Sequence, residues 1–259
     1  MGDLLVMVHE ECRSTIVSVA RRLRGGISRR AWSLGAMLTA SCSAALSQVS
    51  PATCGPVSPT AWDYRVDKQF YALVEDAHFT PPVEALIRGR TGQLPGPDID
   101  YTLSVFPNHY RAIMAATRLA EREESQGRKS QLKLPVECYY ERAVRFKPDD
   151  LVARMLYAQF LGKRKREEEA KSHLRETQRR AKDNPLTLRN IGLVYMELKD
   201  YDNALMVAHR LLEVEPADPV LKGALVSAGK WRDPVAGTVL GVPAAASGPG
   251  NSASGAAAN

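Results

Sequence analysis

Cysteine is scarce in this chain, and its spacing is not typical of a metal site. The four cysteines of the 259 residues stand at positions 12, 42, 54 and 138, whereas zinc sites use closely spaced cysteines and histidines. The glycines of 89–96 lack the Gly-Lys-Ser/Thr of a phosphate-binding loop, and no catalytic motif surrounds His109 or Cys138. The sequence therefore predicts no metal, no cofactor and no enzymatic activity.

Strong charge of one sign is also lacking. The formal net charge is +6, and the six arginines and three acidic residues of 1–47 leave only +3 for the remainder. Nucleic-acid binding normally requires a basic face and a recognisable module, and the charges here are mild and interspersed. We therefore expect no nucleic-acid partner.

An apolar run is present near the N-terminus. Residues 31–46 carry no charge and follow the arginine-rich stretch 21–30. A positive stretch followed by an apolar run too short to span a bilayer comfortably is typical of a secretory signal. Small residues at positions 45 and 47 predict cleavage before Gln48, so 1–47 is interpreted as a signal peptide.

Three other interpretations of the N-terminus stay open. Residues 28–32 resemble the core of a twin-arginine signal, which would imply export in the folded state. Residues 39–42 resemble a degenerate bacterial lipobox, in which Cys42 would carry a lipid and anchor the chain to a membrane. In the third, 31–46 is an ordinary core helix whose periodicity is interrupted by Gly and Ser.

Both flanks of the central region have compositions that bury little. Residues 48–67 are rich in Pro, Ser and small residues and are predicted to be a flexible linker. Residues 233–259 are predicted to be a disordered tail. A disulfide between Cys54 and Cys138 is one possibility in an oxidising compartment, and two free thiols are the other.

The most informative stretch of the chain is 185–216. It carries Leu188, Gly192, Tyr195, Ala204 and Pro216 at the spacing of the tetratricopeptide pattern, which has a period of about 34 residues. By these residues the stretch resembles one repeat of the tetratricopeptide (TPR) family. The resemblance implies an all-α protein, a short right-handed α-solenoid of about three to four antiparallel helix pairs that bury their apolar faces by stacking.

Counting back from this stretch predicts the rest of a helical domain over 68–232. Repeats are expected at 151–184 and 185–218, and a repeat interrupted by a polar insertion at 123–134 is expected over about 107–150. A terminal helix at 219–230 would cover the last apolar face. Gly192 and Ala204 are expected where the two helices of one pair cross.

The resemblance also nominates a binding surface. TPR arrays usually bind an extended peptide or a helix along the concave face made by the first helix of each pair. The matching positions in this sequence are Arg111, Met114, Arg118, Val152, Met155, Gln159, Arg189, Asn190 and Leu193. Of these, Asn190 is expected to bond a ligand backbone, and the arginines favour an acidic, amphipathic segment.

Together these features predict an exported bacterial scaffold or adaptor that is non-catalytic and acts in the periplasm or anchored to a membrane facing it. Its partner would be another protein or peptide. The alternative is a docking part of an envelope enzyme or assembly complex that acts on cell wall or polysaccharide. A cluster of His, Asp or Glu in one cleft would favour that alternative.

Overall fold

The computed structural model describes residues 51–90 and 92–234, and within these ranges the chain is helical without a β-strand. A short 3-10 helix, Lys68–Phe70, precedes the second α-helix. The α-helices are α1 (Pro51–Cys54), α2 (Tyr71–His78), α3 (Pro81–Glu84), α4 (Gly96–Val105), α5 (Tyr110–Ser125), α6 (Val136–Phe146), α7 (Leu151–Lys163), α8 (Glu167–Ala181), α9 (Pro185–Glu197), α10 (Tyr201–Val214) and α11 (Val220–Ser227).

The C-terminal helices form adjacent pairs, α7 with α8 and α9 with α10. Each pair is joined by a three-residue turn, 164–166 and 198–200, so its helices run antiparallel. Helix α9 also contacts both helices of the preceding pair, and α11 contacts both helices of the last one. This arrangement is compatible with an α-solenoid, because each pair buries apolar side chains against the next.

A period of 34 residues is visible at the helix starts. The side chains of Asp150 and Asn184 accept hydrogen bonds from the backbone N–H of the third residue along, Ala153 and Thr187, and so cap α7 and α9. At the next position of the period, Asp218 accepts from the backbone N–H of Val220. Such caps satisfy backbone donors that the first helical turn leaves free.

The same kind of turn follows the helices α5, α7, α9 and α11. Gly127, Lys165, Lys199 and Gly229 have positive φ angles of 61°, 61°, 57° and 67°. The backbone N–H of the residue after each one bonds the carbonyl five residues earlier, for example Arg166 to Leu161 and Asp200 to Tyr195. This turn satisfies backbone carbonyls that the end of a helix leaves without a partner, and it favours glycine at the residue with positive φ. The left-handed conformation of Lys165 and Lys199 therefore lowers the stability of the fold.

The core runs through all the pairs as one cluster of buried apolar side chains. Ile113, Leu119, Leu161, Leu188 and Tyr195 are essentially inaccessible to solvent. Burying side chains of this size contributes about 1.5–3 kcal/mol each, which makes stacking the main source of stability.

Gly192 has a different neighbour from the expected one. A Cβ at this position would lie 2.1 Å from Cδ2 of Leu221, which belongs to the terminal helix α11 rather than to the paired helix α10. Gly162 on α7 is related, because a Cβ there would lie 2.2 Å from Cδ2 of Leu198. The small residue therefore allows a first helix to approach the following unit, which corrects the expected crossing within one pair.

The linker prediction is wrong for 51–67, the described part of that segment. Helix α1 contacts α6, and Cys54, which is 1% exposed, forms a disulfide with the buried Cys138 of α6. Trp62 stacks on Phe70, with ring centroids 3.7 Å apart. The proline-rich composition misled because the segment is fixed by a covalent bond and side-chain contacts, not by helical periodicity.

The insertion prediction also needs correction. Helix α5 extends to Ser125, and the carboxylate of Glu123, a residue 3% exposed, accepts the backbone N–H of Gln131. The following loop returns to α4, where the backbone N–H of Lys133 donates to Asp100 and Leu132 is buried. Both ends of the polar stretch are therefore fixed to the domain, and 124–130 between them is exposed.

Several predictions fall outside the described residues. They are the signal peptide 1–47, its possible lipid site at Cys42, the first three residues of 48–67, and 235–259 of the tail. Among the helices of the described part, none has the length and apolar character needed to cross a bilayer.

Candidate functional site

The nominated surface consists of three rows of side chains on α5, α7 and α9. On α5 and α7 successive positions are three to four residues apart, and on α9 Leu193 is four residues from Arg189 and three from Asn190, so each row lies on one side of its helix. Helix α5 contacts α7, and α7 contacts α9. The amide of Gln159 on α7 donates to Glu197 on α9 at 3.0–3.1 Å, which shows that the second and third rows face the same side.

The arginines of the first row are bound to the chain itself. The guanidinium of Arg111 donates to the carboxylate of Glu84, the last residue of α3, and to Glu75 at 3.3 Å. Arg118 donates to the backbone carbonyl of Glu84 at 3.1 Å. Since Val83 beside them is fully buried, α3 is an integral part of the domain and occupies this end of the surface.

The remaining rows also differ from the expected open surface. Met155 is 6% exposed and belongs to the core, and Leu193 is half-buried against it. Arg189 forms an ion pair with the buried Asp218, next to the start of α11. Arg111 and Arg189 thus have acidic partners within the chain, and Arg118 is bound to a backbone carbonyl. Of the three nominated arginines, Arg118 is therefore the one whose charge is not matched by a carboxylate in the described part of the chain.

Three nominated side chains remain accessible without a polar partner in the described structure. Met114 and Val152 are 43% and 41% exposed. Asn190 is half-buried, and its amide makes no hydrogen bond within the described residues. The part of the surface open to a ligand is therefore a neutral face on α7 and α9, with an unused amide beside apolar groups.

A buried polar cluster lies elsewhere and was missed by the sequence interpretation. The amide of Asn108 donates to Asp63 and to Asp150, both at 2.8 Å, and the hydroxyl of Tyr110 donates to Asp150 at 3.0 Å. Arg65 bonds Asp63 and also reaches Asp149. Asp63, Asn108 and Asp150 are 4%, 0% and 1% exposed.

The electrostatics of this cluster favour the charged form of Asp63. Burial alone would raise the pKa of Asp63, but hydrogen bonds from Arg65 and Asn108 outweigh it and hold that pKa well below its usual value. Burial and the neighbouring Asp150 raise the pKa of Tyr110, so its hydroxyl stays a donor. Because the acids are matched by donors, the cluster joins 63–65 to the starts of α5 and α7.

His109 occupies the start of α5 next to this cluster. Its Nδ1 accepts the backbone N–H of Ala112 at 3.1 Å, so the proton is on Nε2, which donates to Glu75 at 3.1 Å. Burial lowers the pKa of His109 to about 4, although Glu75 opposes the shift. The ring is therefore a neutral helix cap. A thiol–imidazole pair with Cys138 is excluded because Cys138 is in the disulfide.

The described residues contain no group of three or more His, Cys, Asp or Glu side chains arranged to hold a metal ion. Comparison with known proteins gave no matching family model, no matching curated protein and no matching solved structure.

Proposed function

We propose that the protein is a non-catalytic interaction scaffold of TPR type, which binds a peptide or helix of a partner protein. The observation that carries the proposal is the face of α7 and α9, where Asn190 has an uncommitted amide one turn from Leu193, and the neighbouring helix α7 carries the exposed Val152. A backbone amide of a bound segment would satisfy that side chain, and its apolar groups would cover the exposed methyls. The 34-residue recurrence of helix caps and turns supports the TPR interpretation.

We further propose that the chain is exported and acts in the periplasm or on a membrane that faces it. The support comes from the disulfide between Cys54 and Cys138. Disulfides form and persist in oxidising compartments and are rare in reducing ones. The apolar run of 31–46, preceded by arginines, agrees with the same location.

The test is site-specific photo-crosslinking on the intact protein in an envelope fraction. One crosslinker replaces Val152 on the proposed face, and a matched control replaces Met206 on α10, which has nearly the same exposure, 41% against 42%. We expect a crosslinked partner only at position 152, and we expect Asn190→Ala to weaken it while the thermal unfolding temperature stays unchanged. The same crosslinked products from positions 152 and 206 would disprove the proposed face.

A further inference from the structure

A second surface, separate from the face of α7 and α9, has the chemistry of a ligand site. It is a cleft of about 470 Å³ between α8, the turn from α9 to α10, and the segment that follows α11. Lys171, Lys199, Lys230 and Arg232 line it, together with Tyr201 and Trp231. We call it the lysine cleft. Its size lies in the range of ordinary ligand sites.

The walls of the lysine cleft are fixed by contacts between distant parts of the sequence. His209 on α10 donates from Nε2 to the backbone carbonyl of Arg232 at 2.7 Å, which ties the segment after α11 to the last helix pair. Lys171 on α8 forms an ion pair with Asp200 at 3.3 Å. Asp200 in turn caps α10 by accepting the backbone N–H of Asn203. The cleft is therefore formed only in the folded domain.

The charges of the lysine cleft do not cancel. Four cationic side chains face two carboxylates, those of Asp200 and Asp202. Asp200 is occupied by Lys171, and Asp202 by Arg232 at 2.9 Å. Lys199 has no ion pair within the described residues, and the ammonium of Lys230 lies 5.2 Å from the ring centroid of Tyr201. Two ammonium groups thus remain available to an anionic ligand.

The geometry points to an acidic peptide segment as the occupant. We propose that its carboxylates bind Lys199 and Lys230, while its backbone N–H groups face Asp200 and Asp202. An anionic polysaccharide fits less well, because sugar rings would lack an aromatic face to stack on: Trp231 packs against the core, and Lys222 lies 5.0 Å from its ring centroid.

The experiment is a fluorescence-anisotropy titration of the full chain with a labelled poly-glutamate peptide that has blocked ends. The site variant is Lys199→Ala plus Lys230→Ala. The matched control is Lys129→Ala plus Lys163→Ala, which removes the same charge from exposed positions elsewhere. We expect the site variant to raise Kd by about tenfold or more, and the control by less than about twofold. Affinity should fall when salt rises from about 0.05 M to about 0.3 M.

Each other outcome would overturn the proposal. Absence of peptide binding at low salt, or equal weakening by the two variants, would show that the lysine cleft is not a site for acidic peptides. Tighter binding of labelled polygalacturonate than of poly-glutamate would assign the cleft to an anionic polysaccharide instead. Because all four lysines are exposed or half-exposed, matching thermal unfolding temperatures of both variants and the wild type show that any difference reflects binding.

Discussion

The two halves of the described domain are held together in different ways. From α7 onward, helix pairs repeat every 34 residues and stack through apolar side chains and small residues such as Gly192. Before α6, the helices differ in length from four residues to sixteen and show no such repeat, and they are joined by a disulfide and by the buried cluster around Asp63, Asn108 and Asp150. A stack of helical repeats can thus be completed at one end by contacts that do not recur with the repeat.

The largest expected effect concerns two caps at equivalent positions of the period. Asp150 is 1% exposed and accepts bonds from Asn108, Tyr110 and Ala153. Asp150→Ala should lower the free energy of unfolding by about 3–5 kcal/mol, because it leaves buried donors unpaired. Asn184 is exposed and caps α9 alone, so Asn184→Ala should cost only about 1 kcal/mol. Urea denaturation of both variants measures the difference, and equal losses would contradict it.

The disulfide gives the next largest effect. Replacing Cys54 and Cys138 by Ser should lower stability by about 2–4 kcal/mol, because the bond closes a long loop in the unfolded chain. Local unfolding should be confined to the N-terminal half, which contains Arg65 in the segment 63–65 that the buried polar cluster holds. Limited trypsin digestion of oxidised wild type and variant tests this. Faster cleavage within α9 or α10 than at Arg65 would show that the two halves do not differ as described.

Acid should act on the N-terminal half through His109. The pKa of His109 is about 4 in the folded chain, against 6.5 for an ordinary histidine. The unfolded chain therefore takes up a proton first as pH falls below 6.5, and stability is lost down to pH 4, by up to about 3 kcal/mol. His109→Asn keeps a capping acceptor that does not titrate in this range.

The measurement is the free energy of unfolding of wild type and His109→Asn at pH 7.5 and pH 4.5. We expect a smaller decrease in the variant. His173 also has its pKa lowered to about 4, mainly by burial and then by Arg154, and it adds an equal loss to both proteins. An identical decrease in the two proteins would show that His109 is not a buried neutral cap.

The smallest effects concern the turns that end the first helices. Gly127 in the first half and Lys165 in the second adopt the same φ of 61°. Lys165→Gly should raise the free energy of unfolding by about 1 kcal/mol, and Gly127→Ala should lower it by a similar amount. No atom lies within 4 Å of a Cβ at Gly127, so only backbone strain is measured. Thermal unfolding of the two variants measures this: the unfolding temperature should rise for Lys165→Gly and fall for Gly127→Ala.

Periodicity explains which features could be predicted from the sequence. Leu188, Tyr195 and Ala204 are buried in the structure, as the apolar pattern of 185–216 indicates, and the helix pairs follow from it. The same pattern predicts Gly192 as a contact residue within its pair, but its neighbour Leu221 belongs to the next unit, and a pattern within one repeat does not contain that information.

The binding surface was less predictable, because exposure depends on partners remote in sequence. Arg111 and Arg118 stand at ligand-facing positions, yet Glu84, some thirty residues earlier, binds both. The lysine cleft likewise combines three stretches that only the fold brings together. Asp63 and Asn108 were overlooked for the same reason, since a polar pair far apart in sequence has no local signal.

The position of Cys54 has a mechanical consequence. A pull on the chain ahead of residue 51 reaches the disulfide after only a few residues and passes through Cys138 directly into α6. The 84-residue separation between the two cysteines, which includes α2 to α5, is bypassed by the load. Under tension from that side, helices α2 to α5 carry no load, because the force enters the helical stack at α6. The oxidised protein therefore resists unfolding that would start at these helices and proceed along the chain.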